Sequence, residues 1–314
     1  MNDNKIPLVC VVGPTASGKT GLGVSLCKEF DGEVISADSM QIYKGMPIAA
    51  AVPDQNERQG VPHHLMEFLE ISESFSVADY VNLAHKTINN VFKQNKLPVL
   101  VGGTGLYVNS LVDNIQFVDE PTDLELRKRL QIEQQELGEE VLLNRLRGID
   151  PDYAAKLHPN NRRRVVRALE LYELTGKTMT ELEKESRRVP SPYKPCMLGL
   201  AYADRELLYE RIRARVDIML ENGLLDEAKS TFEKNVGGAA QAIGHKELHR
   251  YLCGEISFDE AVELLKRETC HYAKRQLTWF KRDERVNWIE CDKCENILEE
   301  AKRIIKEAKT DGWL

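Results

Sequence analysis

Gly13-Pro14-Thr15-Ala16-Ser17-Gly18-Lys19-Thr20 fills the pattern G-x-x-x-x-G-K-[ST] in full. Glycines at this spacing let backbone amides face an oxyanion, and the N-terminus of a following helix adds positive potential. Lys19 supplies a point charge, and the Thr20 hydroxyl can reach Mg²⁺. Such a cradle does not say which phosphate it holds, because a nucleoside triphosphate and any diphosphate ester present comparable oxygens. Two further groups bear on the choice: Asp38 in Ser36-Ala37-Asp38-Ser39-Met40-Gln41 and Thr104 in Gly102-Gly103-Thr104-Gly105. A carboxylate beside a phosphate site either binds Mg²⁺, as in a kinase, or accepts a proton from a nucleophile. Spacing alone leaves both readings open.

Short apolar runs alternating with helical patterns predict the elements that carry these groups. Leu8–Val12, Val34–Ala37 and Pro98–Val101 read as strands, and Gly18–Phe30 and Ser76–Lys93 as helices. In the second helix Val77, Tyr80, Val81, Ala84, Ile88 and Val91 fall near one face. The class is α/β, a P-loop NTPase-like parallel sheet flanked by helices. In such sheets the carboxyl ends of the strands converge on the ligand crevice, which brings Asp38 and Thr104 toward the P-loop. From about residue 120 to 195 the pattern turns polar, helical and strand-poor, and Cys196–Tyr202 then resembles one more buried strand. The expectation is a core of residues 1–119 and 196–314 interrupted by an all-helical insertion, 120–195, with a mostly helical remainder after Asp204.

The 314 residues are 42% hydrophobic and 30% charged, enough for a sizeable core and against disorder. No apolar run approaches the roughly 18 residues of a spanning helix, so no membrane association and a cytoplasmic location are expected. Seven scattered cysteines argue for reduced thiols. Cys291 and Cys294 form a lone C-x-x-C that reads as a bland exposed helix and not as a zinc site, and His63-His64 lacks metal-ligand spacing. The net charge of −7 excludes indiscriminate nucleic-acid binding but not a local basic face. Residues 121–195 hold 15 Lys and Arg against 13 Asp and Glu, making the insertion the less acidic part.

Beyond the P-loop, separated blocks recur in one order. They are Asp38-Ser39-Met40-Gln41-Ile42-Tyr43, Gly102–Tyr107, Arg164–Glu170, Arg211–Met219, Gln241-Ala242-Ile243-Gly244 and Tyr272–Phe280. Together they resemble the tRNA dimethylallyltransferases of bacterial type, nearly end to end. The resemblance implies transfer of a dimethylallyl group from dimethylallyl diphosphate to the exocyclic amine of the adenine 3′ to the anticodon, releasing diphosphate, with Mg²⁺ as cofactor. It makes Asp38 the base or hydrogen-bond acceptor for that amine, places Thr104 at the reacting centre and gives Arg215 the diphosphate. It puts the tRNA anticodon stem-loop against Asp38, Ser39, Met40, Gln41, Thr104, Arg127, Arg163, Arg164, Arg167, Gln241, Gly244, Lys246, Lys274, Arg275, Gln276 and Lys281, with the insertion clamping the anticodon loop. A monomer is expected.

Two departures stand out. Where the family usually reads Asp-Ile-Gly-Thr-Ala-Lys-Pro, this chain has Pro47-Ile48-Ala49-Ala50-Ala51-Val52-Pro53, losing a hydroxyl and an ammonium. His245 stands where a tyrosine is common, an exchange expected to have little effect. No C-terminal zinc finger of the eukaryotic kind is expected. Trp279 and Phe280, among basic residues, either stack on a base or pack the final helices. Three rival readings are a small-molecule kinase with a helical lid, an isopentenyltransferase acting on free adenylate, and a non-catalytic RNA-binding protein that retains a P-loop. The basic blocks at 162–167 and 274–282 favour a macromolecular acceptor over the first two.

Overall fold

The computed structural model describes residues 5–117, 123–233 and 242–308. Six parallel strands, β1 (Ile6–Val12), β2 (Gly32–Ser36), β3 (His63–His64), β4 (Leu97–Gly102), β5 (Tyr193–Ala201) and β6 (Val286–Glu290), form one sheet in the order β3-β2-β4-β1-β5-β6. β1 is buried on both faces, as a central parallel strand must be. Its side chains alternate between two cores: Leu8, Cys10 and Val12 meet Tyr80, Ala84, Ile88, Leu111 and Phe280, whereas Val9 and Val11 meet Leu22, Leu26 and Ile305.

The helix Val77–Lys93 buries Tyr80, Val81, Ala84, Ile88 and Val91, close to the stripe read from sequence, and Ser76 caps its first turn by accepting from Asp79 N–H. The helix Lys19–Phe30 starts directly after the P-loop. No described helix is long and apolar enough to cross a membrane.

Two compact units divide the chain, one of residues 1–112 and 192–314 and one of 113–191. The second unit therefore begins and ends earlier than the expected 120–195. β5 starts at Tyr193, not Cys196, with Tyr193 buried opposite Ile6. Lys194 and Pro195 break the apolar run and hide this start. Pro195 is tolerated because β6 pairs with β5 only from Met197 onward, so at Pro195 the strand has β1 alone beside it. β3 and β6 were not anticipated. One is two residues long, and in the other Asn287 and Glu290 interrupt the apolar pattern of an edge strand.

The helical unit packs Leu130, Leu142, Leu143, Leu146, Val165, Val166 and Leu169 into its own core. Glu170 lies in that interior with no exposed surface, where Oε2 accepts from Arg127 Nε and Nη2 at 3.0 and 2.9 Å and from Arg167 Nη1 at 3.0 Å. Its Oε1 accepts from Asp123 N–H at 3.1 Å, at the start of the helix Leu124–Leu137. Burial alone would raise this carboxyl, but the hydrogen bonds from Arg167, Arg127 and Asp123 hold it below its ordinary value. Glu170→Ala is expected to destabilise this unit by about 2–4 kcal/mol, because two guanidiniums and a backbone amide lose their common acceptor. Hydrogen exchange should show the loss in the helices Leu124–Leu137 and Arg162–Thr175, and unchanged protection there would contradict it.

Candidate active site

The cradle is the turn that leaves β1. Gly13 adopts φ +140°, and a Cβ there would lie 2.6 Å from the Leu200 carbonyl oxygen of β5, so only glycine lets the turn rest on the sheet. Within the turn Ser17 Oγ donates to Pro14 O at 2.8 Å, and Lys19 Nζ donates to the same carbonyl at 2.5 Å. Arg211 Nε, from the helix Arg205–Glu221, donates to Ala16 O at 3.0 Å and so braces a residue that itself has φ +61°.

Asp38 and Thr104 follow β2 and β4, whose ends are joined by Ala37 N–H to Val101 O at 2.8 Å and Thr104 N–H to Ala37 O at 3.2 Å. Asp38 Oδ1 accepts from Met40 N–H at 2.9 Å. Burial raises the Asp38 carboxyl above the usual aspartate value, against the opposing Met40 amide, Lys19 and Arg215. A carboxylate so shifted is a better proton acceptor than a solvated one. Thr104 Oγ1 accepts from Ser39 N–H at 3.0 Å and donates to Ser39 Oγ at 3.3 Å. Thr104 thus reaches the cavity through Ser39, which lines it.

That cavity measures about 1060 Å³ and is walled by Lys19, Thr20, Asp38, Arg215 and Tyr272 together with Ile48, Ala49, Val52, Met219 and Ile243. Its volume exceeds what a diphosphate needs and suits a ligand with an apolar part. Burial lowers the Arg215 guanidinium from its usual value while Glu57 and Asp38 oppose the shift, and arginine still remains charged at neutral pH. Burial likewise draws the Lys19 ammonium down to about 8, with Asp38 opposing and Arg215 adding to the shift. Anion binding needs the protonated form, so the alkaline side of the kcat/KM profile for an anionic substrate should hold level up to about pH 8, any fall at acid pH belonging to Asp38. Above it the value should fall about tenfold per pH unit as free enzyme loses that charge. A profile flat to pH 10 would contradict the assignment.

The oxygen donors fit Mg²⁺. Thr20 opens on the cavity, and among the described residues no group of three or more His, Cys, Asp or Glu could hold a metal. Mg²⁺ typically keeps several waters and takes one or two protein ligands plus substrate phosphates.

The residues expected to face RNA divide. Lys246, Lys274, Arg275 and Lys281 are exposed, as are Arg163 and Arg164, whereas Arg127 and Arg167 converge on Glu170. Gln276 is buried, not displayed: its Oε1 accepts from Thr15 N–H at 2.8 Å and its Nε2 donates to Gly103 O at 3.0 Å. Gln41 is also engaged at both ends, accepting from Ser36 Oγ at 2.7 Å and donating to Ala51 O at 3.0 Å. Met40 packs beside Ile42, Tyr43 and Met46, and Gly244 N–H donates to Glu247 Oε2 at 2.8 Å. Gln241 lies outside the described residues. Trp279 and Phe280 pack against the core, and Trp279 Nε1 donates to Asn109 Oδ1 at 3.3 Å.

The two departures meet at one carboxylate. Glu227 accepts from Ile48 N–H at 2.8 Å, from Ala49 N–H at 2.9 Å and faces the buried His245 Nε2 at 2.9 Å. His63 and His64 serve the sheet edge, where His64 and Lys96 both bind Glu33 at 2.6 Å. Cys291 and Cys294 sit in the turn after β6, half-buried against the core, and not in an exposed helix. Sequence reading missed Arg211 and Tyr272 as parts of the site, although Tyr272 stands one helical turn before Gln276, a spacing that places both on one face.

The IPP transferase family profile matches residues 41–283. A tRNA dimethylallyltransferase from Acetivibrio thermocellus is 47% identical over 305 residues, covering 96% of each chain, and one from Bacillus subtilis is 46% identical over 292 residues, covering 92% of each. Among solved structures, the tRNA isopentenylpyrophosphate transferase from Bacillus halodurans is 42% identical, with a TM-score of 0.72 over 98% of this chain and 100% of that one. A eukaryotic dimethylallyltransferase acting on tRNA is 29% identical and aligns with a TM-score of 0.80 over 97% of this chain and 79% of its own. With the family profile matching most of the chain and relatives of 46–47% identity spanning almost all of it, the chain belongs to the IPP transferase family of tRNA dimethylallyltransferases.

Proposed function

We propose that this chain transfers the dimethylallyl group of dimethylallyl diphosphate to the exocyclic amine of the adenine 3′ to the anticodon in tRNA. The observation that carries the reading is the single cavity that Lys19, Arg215 and Asp38 share with an apolar wall. An exocyclic amine is a weak nucleophile because its lone pair is delocalised into the ring, whereas an allylic diphosphate develops positive charge at carbon as its C–O bond stretches. Stabilising the leaving group therefore matters most, and pre-placed positive charge does it without reorganisation.

Lys19, Arg215 and the P-loop amides bind the diphosphate oxygens and stabilise the negative charge that builds as the electron pair of the breaking C–O bond passes to the leaving diphosphate oxygen. The amine nitrogen forms the new C–N bond, and Asp38 takes the proton it releases. Bound Mg²⁺, held by Thr20 and the diphosphate, would supply further charge neutralisation. The adenine must leave its stack to enter such a cavity, at a cost of a few kcal/mol. Phosphate contacts from the exposed Lys246, Lys274, Arg275 and Lys281 would offset that cost, with Arg163 and Arg164 of the helical unit acting on the anticodon loop.

Incubation with radiolabelled dimethylallyl diphosphate, Mg²⁺ and either tRNA or free adenylate tests the reading. Label should enter tRNA alone. Label in adenylate would point to the free-nucleotide enzyme, and phosphate transfer in a parallel incubation with labelled ATP would point to a kinase.

A further inference from the structure

We infer that Gln276 is a positioning residue that fixes the distance between the diphosphate cradle and the acceptor side of the site, and that Gly103 is glycine to admit it. The inference rests on the proposed transfer reaction and adds a residue whose part lies inside the protein. The Gln276 side chain stands between two turns. Its Oε1 accepts the Thr15 amide of the P-loop at 2.8 Å, and its Nε2 donates to the Gly103 carbonyl, one residue before Thr104, at 3.0 Å. Only 5% of the residue is exposed, so neither bond exchanges readily with water.

The fit leaves no slack. A Cβ on Gly103 would lie 2.0 Å from Gln276 Nε2 and 3.2 Å from its Cδ, with Gly13 O next at 3.5 Å. Gly103 needs no positive φ, so space and not backbone strain selects glycine there. Tyr272, one turn earlier on the helix Phe258–Phe280, lines the cavity as Gln276 does, so the link stands at the cavity wall.

Two consequences follow for the reaction. The Thr15 amide is committed to Gln276, so the oxyanion is cradled by the amides from Ala16 to Thr20. The turn bearing Thr104 and the loop bearing Lys19 are tied to one amide group, so donor and acceptor keep a fixed separation, as a reaction sensitive to sub-ångström placement requires.

The test is a double-mutant cycle of Gln276→Ala and Gly103→Ala, read by calorimetric titration with inorganic diphosphate and Mg²⁺ and by steady-state kinetics. Each single variant should weaken diphosphate binding about tenfold, the equivalent of one buried hydrogen bond to the backbone, with KM for tRNA changed by less than about twofold. In the double variant the Gly103 methyl group has its nearest remaining neighbour at 3.5 Å, an ordinary contact, so binding should be no weaker than in the worse single variant. Should the alanine variant fold poorly, Gln276→Met fills the volume, makes neither hydrogen bond and should show the same loss. Additive losses, or a raised KM for tRNA with diphosphate affinity unchanged, would overturn the inference. Absence of label transfer by the unaltered protein would sink the proposed reaction instead, while the diphosphate cycle would still report on the link.

Discussion

Asp38→Asn is expected to lower kcat by about 10²- to 10⁴-fold, the usual worth of a placed general base. The substitution is close to isosteric, and the asparagine carbonyl can still accept the Met40 amide that Asp38 Oδ1 accepts at 2.9 Å. What it removes is the ability to hold a proton. Because the carboxyl is shifted upward by burial and sits in the same cavity as Lys19 and Arg215, its basicity and not its bulk is the expected contribution. Kinetics with tRNA as the varied substrate should show KM within about threefold of the unaltered protein, the pattern of an interaction made in the transition state. Equal losses in kcat and tRNA affinity would make Asp38 a binding residue.

Lys19→Ala should reduce kcat/KM for dimethylallyl diphosphate by about 10²- to 10³-fold, as when one pre-placed charge is taken from a developing anion. Part of the loss should appear in KM, since the same ammonium meets the ground-state diphosphate. The alkaline limb near pH 8 should vanish in this variant, because the group drawn down to about 8 is gone. A limb that persists would assign the titration to another residue.

The P-loop, the strands before Asp38 and Thr104 and the helix after Ser76 were legible because local pattern and tertiary demand coincide there. β1 is apolar throughout since both its faces are covered, and the glycines of the cradle answer to its own backbone geometry. What escaped depends on contacts distant in sequence. Gln276 looks like one more polar residue in the basic stretch 274–282; only the fold brings it 2.8 Å from an amide 261 residues away. Arg127 and Arg167 converge on Glu170, and nothing local marks Glu170 as the buried carboxylate that joins them. β6 was lost for the opposite reason, since a short edge strand with polar residues carries too little pattern to stand apart from the helices around it.

The central claim is that the glycine-lysine cradle grips the pyrophosphate end of an isoprenoid while Asp38 faces an extruded adenine. A crystal structure of the protein with Mg²⁺, an unreactive thio-analogue of dimethylallyl diphosphate and an anticodon stem-loop measures this directly. The account predicts diphosphate oxygens on Lys19, Arg215 and the P-loop amides, and the adenine exocyclic nitrogen within hydrogen-bond reach of Asp38. Diphosphate bound elsewhere, or an adenine still stacked in its loop with Asp38 facing solvent, would contradict it.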